Sequence, residues 1–437
     1  MARADRPALS GAVSTAKARA AVEAVWRMES ARIVGALARY TGDFPLVEDL
    51  AQEALAEALV SWSVDGVPNA PTGWLLTVGR RRAIDAFRRR ATADERYAEL
   101  ARNLVAEVPG ADALFDPDAI DDDVLSLIFI SCHPVLSRQA RIALTLRVVG
   151  GLSTNEIAKA FLVPVATIQA RITRAKKTLA AEHVRFAVPD AREMGARLSS
   201  ILQVIYLIFT EGSSASGGES WIRSDLAAEA CRLARVLVRL APEPEAFGLL
   251  ALLELTAARF PARLDKSGRP VLLEDQDRRL WDQQAIRRGQ AALARAATEA
   301  GALGAYGIQA SIAQCHATAP SVAETDWRRI VALYDALNRL TPSPIVELNR
   351  TVAVAMASGP ADALAAVDAI ESRGELRDSH LLPAVRGELL TRLDRRDDAR
   401  AALLHAVRLC ENAAERGELE RKIDALAQAP SAPERPF

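Results

Sequence analysis

Two segments of this chain carry side chains suited to contacts with nucleic acid. In the first, residues 74–90 (WLLTVGRRRAIDAFRRR), apolar residues recur at the spacing of one helix face and leave the opposite face rich in arginine. An aromatic ring can stack on an unpaired base, while guanidinium groups neutralise phosphates and release counterions. The alternative is a solvated helix held by i,i+4 ion pairs such as Arg81–Asp85. The pattern predicts that Leu76, Gly79, Ala83 and Phe87 pack inward, and that Trp74, Val78, Arg81, Asp85 and Arg88 face outward with Arg82 and Arg89 beside them.

The second segment, residues 152–177 (LSTNEIAKAFLVPVATIQARITRAKK), is typical of a helix-turn-helix. The Gly150–Gly151 pair predicts the end of one helix, and Ser153 with Glu156 predicts a capping box that starts the next. Pro164 suits the first turn of the following helix, because its fixed φ and missing N–H do no harm there.

The last helix of this segment divides into an apolar face and a polar face. A recognition helix needs small or amide side chains and a forked arginine for base edges, with cations nearby for phosphates. An ordinary helical hairpin with a basic surface is the alternative. The spacing predicts Val165, Ile168, Ile172, Ala175 and Leu179 in the core, and Thr167, Arg171, Arg174 and Thr178 on the outward face, flanked by Gln169, Ala170, Lys176 and Lys177.

The composition indicates what kind of scaffold holds these segments. A chain of 437 residues is long enough for two to four domains with cores of their own. Half of the residues are apolar and only 5% are aromatic, a balance that favours packed helices over β-sandwiches. We therefore predict an all-α protein. The net charge of −1 says little about partners, because the charge is distributed in local blocks.

The pattern along the chain predicts five segments. Residues 1–20 are expected to form a disordered arm, and 21–95 a helical domain with a break at Thr41–Pro45 and a loop at Ser63–Thr72. Residues 96–122 are acidic and predict an exposed linker, either a mimic of nucleic acid or a solvated tether. Residues 123–183 predict a second helical domain. Residues 184–437 predict an extension of Ala/Leu-rich helices, in which Gly387, Leu390, Ala399, Leu403 and Ala406 follow the phase of a tetratricopeptide helix pair.

The cysteines and the hydropathy pattern bear on localisation and on cofactors. The four cysteines show no CxxC spacing, which favours free, mostly buried thiols in a reducing compartment. No apolar run reaches the roughly 18 residues that a membrane span needs, and we expect a cytoplasmic protein. Cys132–His133 and Cys315–His316 are not matched by a second pair at ligand spacing, so no metal site is expected. No nucleotide-binding or hydrolase motif is present, and no cofactor is expected.

Together the two basic segments resemble the bacterial alternative sigma factors of the extracytoplasmic-function group. Residues 49–62 (DLAQEALAEALVSW) resemble that group's polymerase-binding helix, residues 74–90 its minus-ten helix, and residues 123–181 its minus-thirty-five domain. The chain resembles more closely the subgroup with a tetratricopeptide-like C-terminal extension. That likeness is carried by residues 131–176, 204–212 (VIYLIFTEG), 272–282 (LLEDQDRRLWD) and 325–355, and it covers nearly the whole chain after the first twenty residues.

The resemblance implies roles for particular residues. Two departures leave the promoter sequence open: Gly79-Arg80-Arg81 replaces the family's Ala-Arg-Asn, and Leu162 replaces the usual glycine of the turn. The implied contacts with core RNA polymerase are Asp49, Gln52 and Glu53. The implied contacts with the minus-ten element are Trp74, Arg80, Arg81, Arg82, Arg88 and Arg89. The implied contacts with the minus-thirty-five element are Thr167, Gln169 and Arg171 to bases, and Arg174 and Lys177 to phosphates.

The interpretation that follows is a transcription initiation factor and not an enzyme, with a C-terminal extension that regulates it through a protein, the polymerase or a small ligand. Three alternatives stay open at this stage. One is a one-component helix-turn-helix regulator with a helical ligand sensor, and another is a repeat scaffold with merely solvated basic faces. The third is an enzyme that uses the carboxylates Glu274, Asp275, Asp277 and Asp282, which otherwise form a charged helix start.

Overall fold

The computed structural model describes the chain in segments. These are residues 7–91, 117–161, 163–213, 224–266, 271, 273–410 and 412–428. The chain divides into two compact units, Met1–Ile205 and Tyr206–Phe437. Most of the described residues lie in α-helices, and no strand element occurs among them, which confirms the predicted all-α class.

The first helical group consists of α1 (Pro7–Thr41), α2 (Phe44–Val64) and α3 (Pro71–Ala91). The predicted break is present, because Gly42 adopts a left-handed φ of +61° between α1 and α2. The three helices pack around the buried side chains of Leu37, Leu50, Trp62 and Phe87. The prediction of a disordered arm is wrong for residues 7–20, which are helical; an alanine-rich stretch continues α1 upstream, and its Ala18 is buried. Residues 1–6 lie outside the described residues.

The second helical group follows, and it starts earlier than the sequence indicated. It consists of α4 (Pro117–Ser131), α5 (Arg138–Val148), α6 (Thr154–Ala160) and α7 (Val165–Ala181). Residues 117–122, which the sequence assigned to the linker, are therefore helical, and the fixed φ of Pro117 suits the first turn of α4. Most of that linker, residues 92–116, lies outside the described residues.

The helix α8 (Ala191–Ser213) spans the division between the two units. Its N-terminal half belongs to the first unit, where the Ser200 hydroxyl donates to the Cys132 carbonyl at 2.6 Å and accepts from Arg141 at 2.6 Å. The second unit therefore begins later along the chain than the 183/184 boundary that the sequence indicated. Polar contacts between residues so far apart in the chain leave no local pattern from which to predict them.

The second unit is a succession of helices in which each helix packs against its neighbour in the chain. Phe247, Leu249, Leu253 and Leu255 are buried on several sides of one helix, α10, which is typical of a helix at the centre of a stack. The helices are α9 (Ser224–Leu240), α10 (Pro244–Ala257), α11 (Gln283–Ala300), α12 (Ala305–Thr318), α13 (Trp327–Leu340), α14 (Pro344–Ser358), α15 (Pro360–Ser372), α16 (Leu381–Arg392), α17 (Arg396–Leu409) and α18 (Ala413–Gln428).

The small/large alternation near the end of the chain lies at the contact between α16 and α17. A methyl group added at Gly387 would lie 2.7 Å from a carbon of Leu403, so this glycine allows the two helices to approach closely. Leu390, Ala399 and Ala406 are buried at the same contact region. The small/large alternation in the sequence thus corresponds to the packed pair of helices α16 and α17.

Two expectations about the chain's chemistry can be compared with the structure. All four cysteines are free and buried, as predicted. Within the described residues, no helix combines the length and the apolar character that a membrane crossing requires.

Candidate nucleic-acid interface

The helix α3 packs with the face that the sequence predicted, but it buries a wider arc. Leu76, Gly79, Ala83 and Phe87 are all buried, as expected. Val78, predicted to face outward, is only 6% exposed. The physical reason is that both α1 and α2 pack against α3, whereas a single apolar stripe would need only one neighbour. The outward face of α3 is correspondingly narrower than predicted.

Two of the candidate DNA-binding side chains are held by aromatic neighbours. Trp74 is half-buried, and its ring meets the ring of the buried Trp62 edge-on at 5.6 Å between centroids. Arg80 is half-buried with its guanidinium 4.6 Å from the centre of the Tyr40 ring, and burial lowers its pKa. Both side chains are therefore positioned by packing rather than extended into solvent.

The next two arginines on α3 are held by acidic residues of α2. Arg81 pairs with Glu57, and Arg82 donates to the other oxygen of the same carboxylate at 2.7 Å. These two hydrogen bonds hold the pKa of Glu57 below its ordinary value. Arg82 also lies 3.9 Å from Glu53. The predicted solvated face is thus tied to α2, although the partner is Glu57 and not the expected Asp85. Arg81, Arg88 and Arg89 of the candidate set are exposed.

The three residues implied for polymerase binding share one exposed face of α2. All three are exposed, and Asp49 lies one turn before the adjacent Gln52 and Glu53. Further along the helix, Leu59 and Val60 are exposed apolar side chains, Val60 to 69%. Sequence reasoning identified the acidic end of this face and missed its apolar end. The helical periodicity could have indicated it, because Leu59 and Val60 fall outside the buried stripe of α2.

The helix-turn-helix is formed by α6 and α7, and its local signals are confirmed. Ser153 and Glu156 form the predicted capping box, and Gly151 has a φ of +70° at the turn before α6. Pro164 occupies the N-cap of α7, one position before the expected first turn. Ile168, Ile172, Ala175 and Leu179 are buried as predicted. Leu162, the departure in the turn, lies outside the described residues.

The outward face of α7 carries the candidate base-reading residues. Gln169, Arg174 and Lys177 are exposed, while Thr167 and Arg171 are half-buried. Arg174 donates from Nε to the carbonyl of Ala170 at 3.2 Å, which leaves its terminal nitrogens directed along the helix surface. All five candidates lie outside the buried stripe of α7, with Gln169 on the opposite side of that stripe from Thr167 and Arg171.

One cation of α7 does not face outward as predicted. Lys176 pairs with Glu48 of α2, and the same carboxylate pairs with Arg147 of α5. All three side chains are mostly buried, with exposures of 12%, 14% and 11% for Glu48, Lys176 and Arg147. Burial opposes ionisation of Glu48, but the two cations outweigh it and lower the pKa of this carboxyl. We call these residues the Glu48 cluster; it joins the first helical group to the second.

Helix α1 makes further contacts across the same boundary. Arg39 pairs with Asp123 of α4 at 2.9 Å, and the Trp26 indole N–H donates to the Gly151 carbonyl at 2.9 Å. A side chain at Gly151 would collide with Ser30, so the turn before α6 approaches α1 closely. The candidate minus-ten and minus-thirty-five helices therefore belong to one closed arrangement.

The carboxylates proposed for an enzymatic alternative are used in helix starts. Asp277 accepts from the Arg279 backbone N–H at 3.0 Å and pairs with the Arg279 side chain, which lowers its pKa. Asp282 caps α11 by accepting from Gln284 and Ala285. These contacts confirm the interpretation of a charged helix start.

A cluster of possible metal ligands lies where the sequence offered no signal. Ligand atoms of His380, Cys410 and Glu415 all lie within 4.8 Å of one another. His380 pairs with Glu415 at 3.2 Å, and burial raises the pKa of the Cys410 thiol. These contacts form a polar junction between helix ends, and they support no metal assignment.

Three known protein families match segments of the chain. Sigma-70 region 2 matches residues 26–92, and sigma-70 region 4 matches residues 126–179. A family of unknown function, DUF6596, matches residues 197–297. The Glu48 cluster thus joins the two sigma-70 segments.

Several curated proteins are similar to the chain. The uncharacterized protein R00370 of Rhizobium meliloti is 43% identical over 411 residues, which cover 91% of this chain and 94% of that protein. The ECF RNA polymerase sigma factor SigK of Mycobacterium ulcerans is 28% identical over 34% of this chain and 78% of its own length. A probable ECF RNA polymerase sigma factor, SigI of Mycobacterium tuberculosis, is 27% identical over 39% of this chain and 58% of its own. No solved structure matches.

Proposed function

The chain belongs to the sigma-70 family, whose members are transcription initiation factors and not enzymes, and we propose that this alternative sigma factor binds core RNA polymerase and recognises a two-element promoter. The observation that carries the proposal is the pair of cationic helices on separate helical groups, α3 and α7, each in a segment that matches a different sigma-70 region. One cationic helix would suit many DNA-binding proteins; two in this order suit a protein that reads separated elements.

We propose that the exposed face of α2 binds the polymerase. Its acidic end, Asp49, Gln52 and Glu53, would provide polar contacts, and Leu59 with Val60 would be covered by the partner. An apolar centre with a polar rim is the usual organisation of a protein–protein interface.

The roles of the cationic residues in DNA binding remain proposals. On α3, Trp74 would stack on a base and Arg80, Arg81, Arg82, Arg88 and Arg89 would bind phosphates of the minus-ten element. On α7, Thr167, Gln169 and Arg171 would contact bases of the minus-thirty-five element, with Arg174 and Lys177 on the backbone. Since Arg81 and Arg82 are bound to Glu57, DNA would compete with that carboxylate.

We further propose that the closed arrangement opens before both elements are bound. The names of the two elements place them about 25 base pairs apart, or about 85 Å of B-DNA at roughly 3.4 Å per base pair. Helices α3 and α7 are about 32 and 26 Å long at roughly 1.5 Å per residue, and the Glu48 cluster holds their groups in direct contact. The two surfaces therefore need to separate to span the promoter.

Run-off transcription with purified core polymerase tests the proposed function. Promoter-dependent transcripts are expected only when this chain is added, and Arg171→Ala should reduce discrimination at the upstream element by about 1–3 kcal/mol. Failure to direct transcription from any promoter, combined with tight operator binding by the protein alone, would instead favour a one-component regulator.

We propose that the second unit, with tetratricopeptide-like helix pairs, regulates the first. This is supported by its size and by the close helix pair at Gly387 and Leu403, which resembles such repeats. A chain ending at Ser213, where α8 ends, should bind polymerase but respond differently to the physiological signal. Unchanged transcription by this truncated chain under all conditions would contradict a regulatory role.

A further inference from the structure

A group of cationic and aromatic side chains surrounds Trp281 in the second unit. Arg259 follows α10, Arg278 and Trp281 come from the turn before α11, and His316 lies near the end of α12. Trp281 is only 3% exposed, whereas the other three are half-buried and reach the surface. We call these four residues the Trp281 cluster. The motif LLEDQDRRLWD contributes two of them, and the proposed function assigns no role to it.

The two guanidinium groups both lie against the Trp281 ring. The Arg278 carbon Cζ is 4.5 Å from the ring centre, and that of Arg259 is 5.6 Å away. Arg278 is anchored from one nitrogen, Nη1, which donates to the carbonyls of His316 and Ala319 at 2.7 Å each. Like charges around one ring are repulsive unless an anion lies between them.

Unsatisfied donors are concentrated here. Among the described residues, eight buried side-chain nitrogen or oxygen atoms have no hydrogen-bond partner, and four of them are Arg259 Nε, Arg278 Nη2, Trp281 Nε1 and His316 Nδ1. The first three are N–H donors, so the missing group is an acceptor. Buried polar groups without partners are rare and frequently mark a functional site.

The nearby carboxylates have other partners. Asp277 pairs with Arg279, and Asp282 caps α11. Glu324 is the carboxylate that acts on Arg278, and it accepts from the Ser321 hydroxyl at 2.9 Å. Within the described part of the chain, Arg259 has no ion pair, although buried charges are ordinarily paired.

The electrostatic consequence is visible in the pKa values of the cluster. Burial, with Arg263 and Arg278 nearby, lowers the pKa of Arg259 to about 10. Burial and the two cations Arg259 and Arg278 lower the pKa of His316 to about 4. Two guanidinium groups thus lie together in a partly buried place, where a bound anion would stabilise their charge.

We propose that Arg259, Arg278 and the Trp281 indole N–H bind a small organic anion through a carboxylate or phosphate group. Guanidinium groups match the planar or tetrahedral oxygens of such groups, and the indole supplies a further donor. A cleft of about 360 Å³ lies beside the cluster, because it is lined by Ala319, whose carbonyl accepts a hydrogen bond from Arg278. Binding of such an anion would provide a signal for the proposed regulatory role of the second unit. A regulatory effect of the anion rests on that proposed role, whereas the binding itself does not.

The test is direct titration of the full-length protein without polymerase. Inorganic phosphate and malonate are titrated separately by calorimetry at constant ionic strength, and thermal unfolding is followed with and without each anion. Saturable binding of at least one probe is expected, with an affinity at least tenfold lower in Arg259→Gln. Without anion, Arg259→Gln should unfold at the same or a higher temperature, because it removes an unpaired buried cation, whereas a purely structural arginine would lower that temperature.

Arg279→Gln is the matched control, since Arg279 is adjacent, 90% exposed and paired with Asp277. It should bind both probes like the unaltered protein. The proposal is overturned if neither probe binds saturably, if Arg259→Gln binds as tightly as the unaltered protein, or if Arg279→Gln loses as much affinity. Binding of phosphate alone or malonate alone identifies the group that the site accepts. Because polymerase is absent, loss of transcription with intact anion binding would refute the proposed function and leave the site standing.

Discussion

Each unit of this protein contains a buried glutamate that binds two cations, and the two clusters differ in what they hold together. Glu254 of α10 is 2% exposed and pairs with Arg235 of α9 and Arg288 of α11, both 45% exposed. Glu48 of α2 pairs with Arg147 and Lys176, whose side chains are buried to a similar degree as the glutamate itself. Both clusters pair one carboxylate with two cations, but the cations are nearly half exposed around Glu254 and mostly buried around Glu48.

The difference lies in the connections between the helices. The partners of Glu254 are on neighbouring helices of one stack, so the cluster can break only if that stack unfolds. Arg147 lies 99 residues from Glu48, on a helical group that follows residues 92–116. Loss of the Glu48 cluster can therefore be relieved by separation of two intact helical groups. The Glu254 pairs therefore stabilise the fold of the second unit, whereas the Glu48 pairs stabilise the closed arrangement of two helical groups.

The largest effect is expected for Glu48→Gln. The substitution leaves two buried cations without a counterion, so the closed form should lose about 3 kcal/mol relative to the open form, roughly a hundredfold in the equilibrium. The measurement is the distance between fluorescent labels at Ala56→Cys and Thr173→Cys, both exposed sites, while the four native thiols are buried.

Glu53→Gln is the control for that experiment, because Glu53 is exposed on the same helix and contacts only the first helical group among the pairs described. It should leave the label distance unchanged. A short label distance in Glu48→Gln would show that the cluster does not hold the two groups together.

Glu254→Gln is expected to have a smaller effect, and this effect is on the stability of the second unit instead of on the label distance. The arginine partners are nearly half exposed and can be hydrated, so the loss should be about 2 kcal/mol in the free energy of unfolding of the second unit. Denaturant unfolding of the second unit measures it, with Glu299→Gln as an exposed-pair control. An unchanged midpoint would place Glu254 outside the stabilising interactions of the stack.

Lys176→Met should give an intermediate degree of opening. Glu48 keeps its pair with Arg147, so the closed form should lose only about 1 kcal/mol. The same label distances report it, and Lys177→Met, one residue away and exposed, should not change them. In DNA binding the order should be reversed. Lys177→Met should weaken binding, because Lys177 is proposed to contact phosphate, and Lys176→Met should not.

The smallest effect is a pH dependence of closure. The pKa of Glu48 is lowered in the closed form, so its contribution is complete above the ordinary glutamate pKa and is lost as pH falls through the lowered value. Asp123 has the opposite sign, because burial raises its pKa despite Arg39. Opening on acidification should therefore be stronger in Asp123→Asn and weaker in Glu48→Gln. Identical acid responses in these variants would exclude both carboxyls as its source.

Local signals in the sequence predicted local structure well. The break after Thr41, the capping box at Ser153 and Glu156, and the buried stripe of α7 were all predicted, because each depends on residues within a few positions of one another. The residue roles in DNA and polymerase binding stay predictions. The helical start of the chain was missed, since burial of Ala18 depends on neighbours that no local pattern reveals.

The sequence by itself determined the helices, their apolar faces and the order of the two cationic segments, because periodicity and caps act over a few residues. Only the tertiary structure decided that Lys176 faces Glu48 instead of solvent, that Arg81 and Arg82 share Glu57, and that Arg259 meets Arg278 at Trp281. These contacts join side chains from different segments of the chain, and in the first case the residues are 128 positions apart. Charge alone does not select a partner at such a separation; the packing of the helices does.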